Sequence, residues 1–302
     1  MAIQNSQQLE QLWPGLAALL GEKYEAYPKM WPMMYEREAS TKAYEKSVMI
    51  KLLGLASRKA EGKGVTPDEG AGEAYIKVSA HEVWHMAFAI TEEAMEDNQY
   101  KDVSKRYVKA AARSMAYTQE LNALYPIEAG FAAYTTGDGV SFFNAAHPIG
   151  SFTNSNKPTV GGDPNETYLE NMVIQMSSWV DARGLKIMVK PRNVMVPPSY
   201  AFTMERLLKT AQRVGTANND INALKSMNSI PDGYFVNPLM SDSTMWVVFT
   251  NCPDSLKFYE RRALRNKNEY DFNTGNHLWK CDQRYIYTVE DPLGAWASKV
   301  GV

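Results

Sequence analysis

The chain has 302 residues, of which 45% are hydrophobic and 22% are charged, and its formal net charge at pH 7 is -2. This is the composition of a globular protein, long enough to bury about three-quarters of the surface of the unfolded chain in one large domain or two interleaved ones. The near-neutral charge argues against tight nucleic-acid binding through a basic surface.

Cysteine usage and hydropathy indicate a reducing, aqueous compartment. The two cysteines, Cys252 and Cys281, are too few for a disulfide framework, and we predict that both are small buried side chains. The polar N-terminus lacks the apolar core of a signal peptide, and no apolar run reaches the length of about 18 residues that a membrane span needs. We therefore expect a soluble protein made in the cytosol.

The first 50 residues combine a leucine-rich stretch with a run rich in aromatic residues, Met and Pro. Residues 9–20 predict a short amphipathic helix that is interrupted by Pro14. The run YPKMWPMMY (27–35) cannot be a long helix, because Pro28 and Pro32 break the hydrogen-bond ladder. Two interpretations stay open: a first core segment of the same chain, or an arm that binds a partner.

A Gly-rich, charged stretch at 54–74 predicts a mobile loop or a hairpin tip. In the following residues, 75–90, apolar and other residues alternate, with Trp84, Met86, Phe88 and Ile90 on one face. This alternation predicts a single strand that runs directly into the next helix. Together the two segments predict an extended β-arm.

Residues 91–125 predict one long helix of about 50 Å, at about 1.5 Å per residue. Thr91 can cap its N-terminus, and acidic residues followed by basic ones suit the helix dipole. We expect the helix to end before Pro126. The spacing predicts a buried apolar stripe made of Val103, Tyr107, Ala110, Tyr117, Leu121 and Leu124.

The remaining chain reads as α+β without a regular βαβ repeat. A tight turn at 137–139 and a short apolar strand come first, and His147-Pro148 reads as a turn. A second helix is predicted over 164–183, ended by Gly184, and a third over 201–214, ended by Gly215. Further strands are predicted in LKIMVKPRNVMVPPSY (185–200), YFVNP (234–238), MWVVFT (245–250), LKFYERRA (256–263) and QRYIYTVE (283–290).

One pattern suggests catalysis. The residues His81-Glu82-Val83-Trp84-His85 fit H-E-x-x-H, in which two histidines one helical turn apart bind zinc. Here the pattern lies in an alternating, strand-like stretch, where four residues span about 13 Å. The other histidines, His147 and His277, supply no clear third ligand. A zinc-dependent hydrolase is therefore the alternative hypothesis, and no catalytic, cofactor-binding or metal-binding residue is assigned.

Other signals of chemistry or DNA binding are weak. The sequence contains no phosphate-binding glycine loop and no nucleophile elbow. Lys105, Lys109 and Arg113 form a row on the long helix. The row is typical of a solvated helix face; a DNA-facing row is the competing interpretation.

Seven separated segments, in chain order, resemble the major capsid (major head) proteins of tailed bacteriophages, in the branch that includes Mu-type head subunits. They are ITEEAMEDNQY (90–100), GDGVSFFNAAHP (137–148), GLKIMVKPRNVMVPPSY (184–200), GTANNDINAL (215–224), FVNPLMSDSTMWVV (235–248), LKFYERR (256–262) and DFNTGN (271–276). The resemblance runs from about residue 50 to the C-terminus and is less clear over the first 45 residues.

This resemblance implies the HK-type capsid fold, divided into five segments. They are an N-terminal arm (1–48), an extended E-loop (49–90), a peripheral P-domain with a spine helix (91–150), an axial A-domain (151–250) and C-terminal strands that complete the sheets of both domains (251–302).

The resemblance also implies a non-enzymatic structural role. Subunits of this family form hexamers and pentamers that tile an icosahedral shell around double-stranded DNA, in a virion assembled in the host cytoplasm. The chain begins close to the arm, so we expect a separate scaffold as well as a portal, and a decoration protein stays open. Some relatives cross-link a loop lysine to a neighbouring subunit; Lys59 and Lys63 lie in the loop, but no matching motif assigns that chemistry to them.

Overall fold

The computed structural model describes residues 5–65, 67, 70, 72–93, 100–213 and 220–301, with side chains not described for 5–13 and 100–103. Helices and strands are mixed along the chain, which confirms the predicted α+β class. The helices are α1 (Asn5–Glu25), α2 (Tyr100–Glu128), α3 (Glu166–Ser178), α4 (Ala201–Lys209) and α5 (Ala223–Ser226). The strands are β1 (Glu36–Ala39), β2 (Tyr44–Lys51), β3 (Gly72–Ala80), β4 (Glu82–Ile90), β5 (His147–Ile149), β6 (Phe152–Asn154), β7 (Pro191–Val196), β8 (Tyr234–Val236), β9 (Met245–Thr250), β10 (Leu256–Tyr270), β11 (His277–Val289) and β12 (Ala295–Lys299).

The first sheet has the strand order β1-β10-β11-β4, with β1 parallel to β10 and the other pairs antiparallel. One face of this sheet packs on α1 and α2. Trp279 and Cys281 of β11 are fully buried there against Leu16, Leu20 and the small residues of α2. The predicted burial of Cys281 is confirmed, whereas Cys252 is only partly buried.

The predicted single strand over 75–90 is wrong, since the structure divides it into two strands that belong to different sheets. β3 pairs with β2 in a separate antiparallel hairpin, and β4 pairs with β11. The buried His81 lies between them, and its Nε2 is 3.1 Å from Glu45 Oε1 in β2. Apolar alternation continues across the break, so the two-residue period could not reveal it. The expected face of Trp84, Met86, Phe88 and Ile90 is confirmed as the less exposed side of β4.

The second sheet has the order β12-β9-β7-β8, with only β7 and β8 parallel. Its central strands β7 and β9 are almost entirely buried. One core cluster joins this sheet to α3, α4 and α5, and a second joins it to the first sheet and the end of α2. The C-terminal residues contribute β12 to the edge of this sheet; the local pattern predicted no strand there, although the family resemblance implied C-terminal strands that complete the sheets.

The buried face of α2 differs from the predicted stripe. Tyr107, Tyr117 and Leu121 are exposed, Ala110 is exposed as well, and of the described members only Leu124 is buried. The helix instead buries a neighbouring face with small side chains, which let α1 and the first sheet approach closely. Its buried apolar members are Val108, Ala111, Ala112, Met115, Ala116, Ala123, Leu124 and Ile127.

Prolines lie inside both long helices, contrary to the predicted breaks. α1 continues through Pro14, and α2 continues through Pro126 to Glu128. A proline removes one hydrogen bond from a helix. On each helix the following apolar residues are buried, Leu16 and Leu20 on α1 and Ile127 on α2, and this packing offsets the loss. Residues 94–99 of the predicted helix, which was expected to start at Thr91, lie outside the described residues.

Three further predictions are corrected. α3 ends at Ser178, so Gly184, with a φ of 80°, belongs to a later turn rather than ending the helix. α4 ends at Lys209, and the expected stop at Gly215 lies outside the described residues. His147 lies in β5 and not in a turn. Its buried imidazole has a hydrogen-bond partner inside the protein, Asp138. None of the helices in the described part of the chain is both long and apolar enough to cross a membrane.

Candidate assembly surfaces

The β2–β3 hairpin is fastened to the end of the first sheet by a set of polar contacts, here called the hairpin anchor. Glu290 is its centre: Ser47 donates to Oε2 at 2.9 Å, and Tyr259 donates to Oε1 at 2.8 Å. The Tyr75 hydroxyl donates to the Glu290 carbonyl at 3.3 Å, and the Ser79 and Thr288 hydroxyls lie 2.7 Å apart. Both hairpin strands are thus held to the sheet, from Ser79 near the base to Tyr75 nearer the tip.

The tight turn at 137–139 completes this anchor. The Lys77 ammonium donates to the Thr135 carbonyl at 2.6 Å and lies 4.9 Å from the centre of the Tyr134 ring. A Cβ on Gly137 would lie 2.5 Å from the Tyr75 ring, closer than side-chain atoms approach. The glycine therefore lets the hairpin pack directly against the turn. Burial lowers the pKa of Lys77, although the charge of Asp138 opposes the shift.

Beneath the turn, Asp138, His147 and Asn156 form a buried polar cluster. Asp138 Oδ2 lies 2.6 Å from His147 Nδ1, and His147 Nε2 lies 3.1 Å from both the Phe142 carbonyl and Asn156 Oδ1. Burial would raise the pKa of Asp138, but hydrogen bonds from His147 and Thr136 hold it below its usual value. Since both imidazole nitrogens have protein partners, the cluster is a structural support for the turn.

Among the described residues, one group of three carboxylates could hold a metal ion: Glu36, Glu38 and Asp254. A lysine ammonium already contacts all three. The Lys257 ammonium, whose side chain is 3% exposed, lies 2.7 Å from Glu36, 2.5 Å from Glu38 and 2.7 Å from Asp254. Burial alone would lower the pKa of Lys257, but hydrogen bonds to Asp254, Glu36 and Glu38 raise it. The ammonium therefore fills the position that a cation would take.

The H-E-x-x-H residues do not have the geometry of a zinc peptidase. His81 is buried beside Glu45, while His85 is exposed within β4. Over an extended strand, residues four apart are separated by about 13 Å, whereas a zinc site needs both imidazoles at about 2 Å from one ion. The motif requires a helix, whereas Glu82 to His85 lie in strand β4 here.

The exposed apolar side chains of the described chain include two groups. The first follows β2: Leu52, Leu53 and Leu55 are 59%, 66% and 84% exposed. The second is the side of α2 that carries Tyr117, Leu121 and Tyr125. Contiguous exposed apolar side chains mark sites of protein association. The exposed Lys105, Lys109 and Arg113 lie on the same helix.

Sequence reasoning missed most of these positions. Glu290, Ser47 and Tyr75 are far apart in the sequence, and no local pattern connects them. The Gly-Asp-Gly turn was the available signal, because repeated glycine marks a close backbone approach. The sequence identified the apolar side of α2 that carries Tyr117 and Leu121, but it wrongly predicted that this side faces the core.

A docked two-stranded hairpin, a long helix across one sheet and a second sheet with its own helices make up the HK-type capsid fold. The sequence model described as "Phage capsid protein" matches residues 78–298, most of the chain. The chain therefore belongs to the phage capsid protein family, and its place is the shell of a virion.

Solved structures share the fold at low sequence identity. The virus-like particle from Pyrococcus furiosus is 10% identical, covers 95% of this chain and 98% of its own, and superposes with a TM-score of 0.56. The capsid of an empty GTA particle is 11% identical, with 92% of both chains covered and a TM-score of 0.57. The mature capsid of bacteriophage PhiM1 is 12% identical, covers 91% and 88%, and has a TM-score of 0.54. No curated protein sequence matches the chain.

Proposed function

We propose that this chain is the major capsid subunit that self-assembles as hexamers and pentamers into an icosahedral head around double-stranded DNA. The observation that carries the proposal is the β2–β3 hairpin. Its two strands are held against the first sheet, yet the leucines that follow β2, at 52, 53 and 55, are exposed. A monomer gains nothing from exposing these side chains, whereas a neighbouring subunit can bury them.

We propose the following assignment of the segments to the domains of the capsid fold. The E-loop comprises the hairpin and its tip, residues 44–80, because β4 pairs with the sheet of the P-domain. The P-domain contains the first sheet and α2, and the A-domain is built around the second sheet. Residues 16–35 contribute to the subunit's own core, with Leu16, Trp31 and Met34 buried, which favours the interpretation as a core segment over that as a partner-binding arm.

The partners follow from the proposed shell. A closed icosahedral head needs a portal vertex for DNA entry, and we expect a separate scaffold to direct its curvature. A decoration protein and membership of the Mu-type branch remain predictions. DNA is enclosed without sequence-specific contacts, in keeping with a net charge of -2.

Electron microscopy of the protein, expressed alone and with its scaffold, tests this proposal. We expect closed shells or isolated hexamers and pentamers. A protein that remains monomeric under every assembly condition, with and without scaffold, would contradict it.

A further inference from the structure

A cavity of about 700 Å³ lies between α3, strand β12 of the second sheet and the loop that precedes α3. Its floor is formed by Met172 of α3 and Trp296 of β12, which are both buried. One wall is a side of α3, and the other is the loop at 158–160. Sites for small molecules in proteins are concave and have volumes of about 300–1,000 Å³. The cavity therefore has the size of a small-molecule site, and its residues belong to neither of the exposed apolar groups described above.

Hydrogen bonds between the two walls fix the shape of this cavity. The Tyr168 hydroxyl donates to the Val160 carbonyl at 3.1 Å, and Gln175 Nε2 donates to the Lys157 carbonyl at 3.3 Å. Gln175 Oε1 accepts from Trp296 Nε1 at 2.8 Å, so the same amide also holds the floor. A ligand would therefore enter a site that is already formed, which lowers the entropic cost of binding.

The walls and the floor carry no charge. The described lining consists of apolar, aromatic, hydroxyl and amide side chains, without Asp, Glu, Lys, Arg or His. An ionised ligand would lose part of its hydration in the cavity and would gain no ion pair in return. The lining therefore favours an uncharged ligand.

The rim of the cavity carries polar side chains that the described chain leaves unused. Thr159, Thr167 and Asn171 are exposed, and their side chains make no hydrogen bond to a described residue. A hydroxyl or an amide side chain can both donate and accept a hydrogen bond. A sugar ring has hydroxyls of the same dual capacity around its edge and C–H groups on its faces. The polar rim and the apolar floor match these two parts of a sugar ring.

We propose that this cavity binds a neutral saccharide. The C–H face of one ring packs on Tyr168 and the floor, and its hydroxyls bond to Thr159, Thr167 and Asn171 at the rim. Tyr168 is suited to this role because its hydroxyl is already bonded to the opposite wall, which fixes the plane of its ring. The inference does not depend on the proposed shell, since the cavity is built from one chain.

A segment of another protein is the competing occupant, and the lining favours it less. A helix that binds in a groove needs several apolar contacts, but Val160 is the only exposed large apolar side chain among the described lining residues. A captured chain terminus needs a charged or backbone partner, and the lining side chains supply no charge.

Saturation-transfer difference NMR on the purified full chain tests the proposal. The probes are the neutral disaccharides maltose, cellobiose, lactose and diacetylchitobiose, with glucuronic acid and glucosamine as charged comparisons. We expect transfer to at least one neutral disaccharide and none to the charged sugars. Transfer to none of the neutral probes, or equal transfer to the charged ones, would overturn the proposal.

Two substitutions at the rim then locate the binding. Asn171→Asp introduces a charge and Thr167→Val removes a hydroxyl, and circular dichroism should show both exposed variants to be folded. Each should raise the dissociation constant of the bound disaccharide by about three- to tenfold, as expected for the loss of one hydrogen bond. Asn268→Asp, at an exposed asparagine of β10, is the matched control and should leave the constant unchanged.

Two outcomes of these measurements would contradict the assigned site. Equal dissociation constants in the wild type and both rim variants would mean that the sugar binds elsewhere. Displacement of the sugar by peptides from this chain's own sequence, with affinities that the rim variants also weaken, would assign the cavity to a contact between copies. Neither outcome bears on the proposed function, which electron microscopy tests separately.

Discussion

Buried ionisable side chains in this protein connect segments that are distant in sequence. Glu120 on α2 accepts backbone hydrogen bonds from Met30 at 3.0 Å and Trp31 at 3.2 Å. Burial raises the pKa of Glu120, while these two N–H donors and the charge of Lys29 oppose the shift. Such a carboxylate is tolerated because it satisfies N–H groups that would otherwise be buried without partners. It thereby holds the turn at 30–35 against the long helix.

Replacing this carboxylate should therefore loosen the N-terminal segment. We expect Glu120→Ala to lower the free energy of unfolding by about 1–3 kcal/mol, since two buried N–H groups lose their acceptors. Urea denaturation followed by tryptophan fluorescence measures the change. Glu25→Ala, on an exposed side chain that pairs with Lys29 at the surface, is the matched control. Equal stability of the two variants would contradict the role of Glu120.

The Asp138–His147 pair predicts a pH dependence of stability. The pKa of Asp138 is below its value of 3.8 in an unfolded chain. Its stabilising contribution is therefore complete above that value and is lost as the pH falls through the lower pKa of the folded state. Denaturation from about pH 7 to about pH 3 should show a smaller loss of stability in Asp138→Asn than in the wild type. An unchanged acid dependence in the variant would count against the pair.

At the scale of elements, the position of the β2–β3 hairpin depends on its contact with the 137–139 turn. The hairpin has only two strands, and two strands alone are marginally stable in water. Its order therefore comes from the anchor at Glu290 and from the packing of Tyr75 on Gly137.

A methyl group on Gly137 should displace the hairpin without unfolding the core. In Gly137→Ala the added carbon would meet the Tyr75 ring, so we expect faster amide hydrogen exchange throughout 72–80 and little change in β7 and β9. Gly72→Ala, in the same hairpin, is the control, because no described atom lies within 4 Å of the position that its methyl group would take. Similar exchange in both variants would mean that the turn does not hold the hairpin.

Loss of the Glu290 carboxylate should have a related effect. Glu290→Ala removes the acceptor of Ser47 and Tyr259, and a hydrogen bond to a charged group contributes about 1.5–3 kcal/mol. We expect faster exchange in 44–51 as well as 72–80. Glu61→Ala, an exposed change at the tip, should leave the exchange rates of both strands unaltered.

At the scale of the whole molecule, the two sheets share a core to which the described residues of the hairpin tip do not contribute. Its members come from the end of α2, the 142–143 aromatic pair and strands of both sheets. The subunit can therefore remain folded without contacts from the tip, and the tip is available for contacts with other copies.

Deletion of residues 58–72 separates these two roles. We expect a subunit with nearly unchanged circular dichroism and thermal midpoint that fails to form stable shells in electron micrographs. Substituting the same residues by a flexible Gly/Ser linker of equal length controls for the connection between β2 and β3. An unfolded deletion variant together with a folded linker variant would show that the tip's length, rather than its contacts, is needed.

Much of the fold was predictable from local patterns. Strands β7, β8 and β9 and helix α3 were predicted near their observed positions because apolar periodicity and turn residues bound them closely. The break at His81 and the continuation of both helices through proline were not, because each depends on contacts made by distant residues. For the assembly surfaces, the sequence located the loop at 54–74 but not its anchor.

The sequence by itself determined the α+β class, the exposed Gly-rich tip and the family resemblance, because these depend on composition, short-range periodicity and ordered motifs. Only the tertiary structure decided which side of α2 faces the core, since the helix carries two apolar sides and small residues allow the closer packing. It also decided that β4 is an edge strand among the described strands, because an edge is defined by the neighbours a strand lacks.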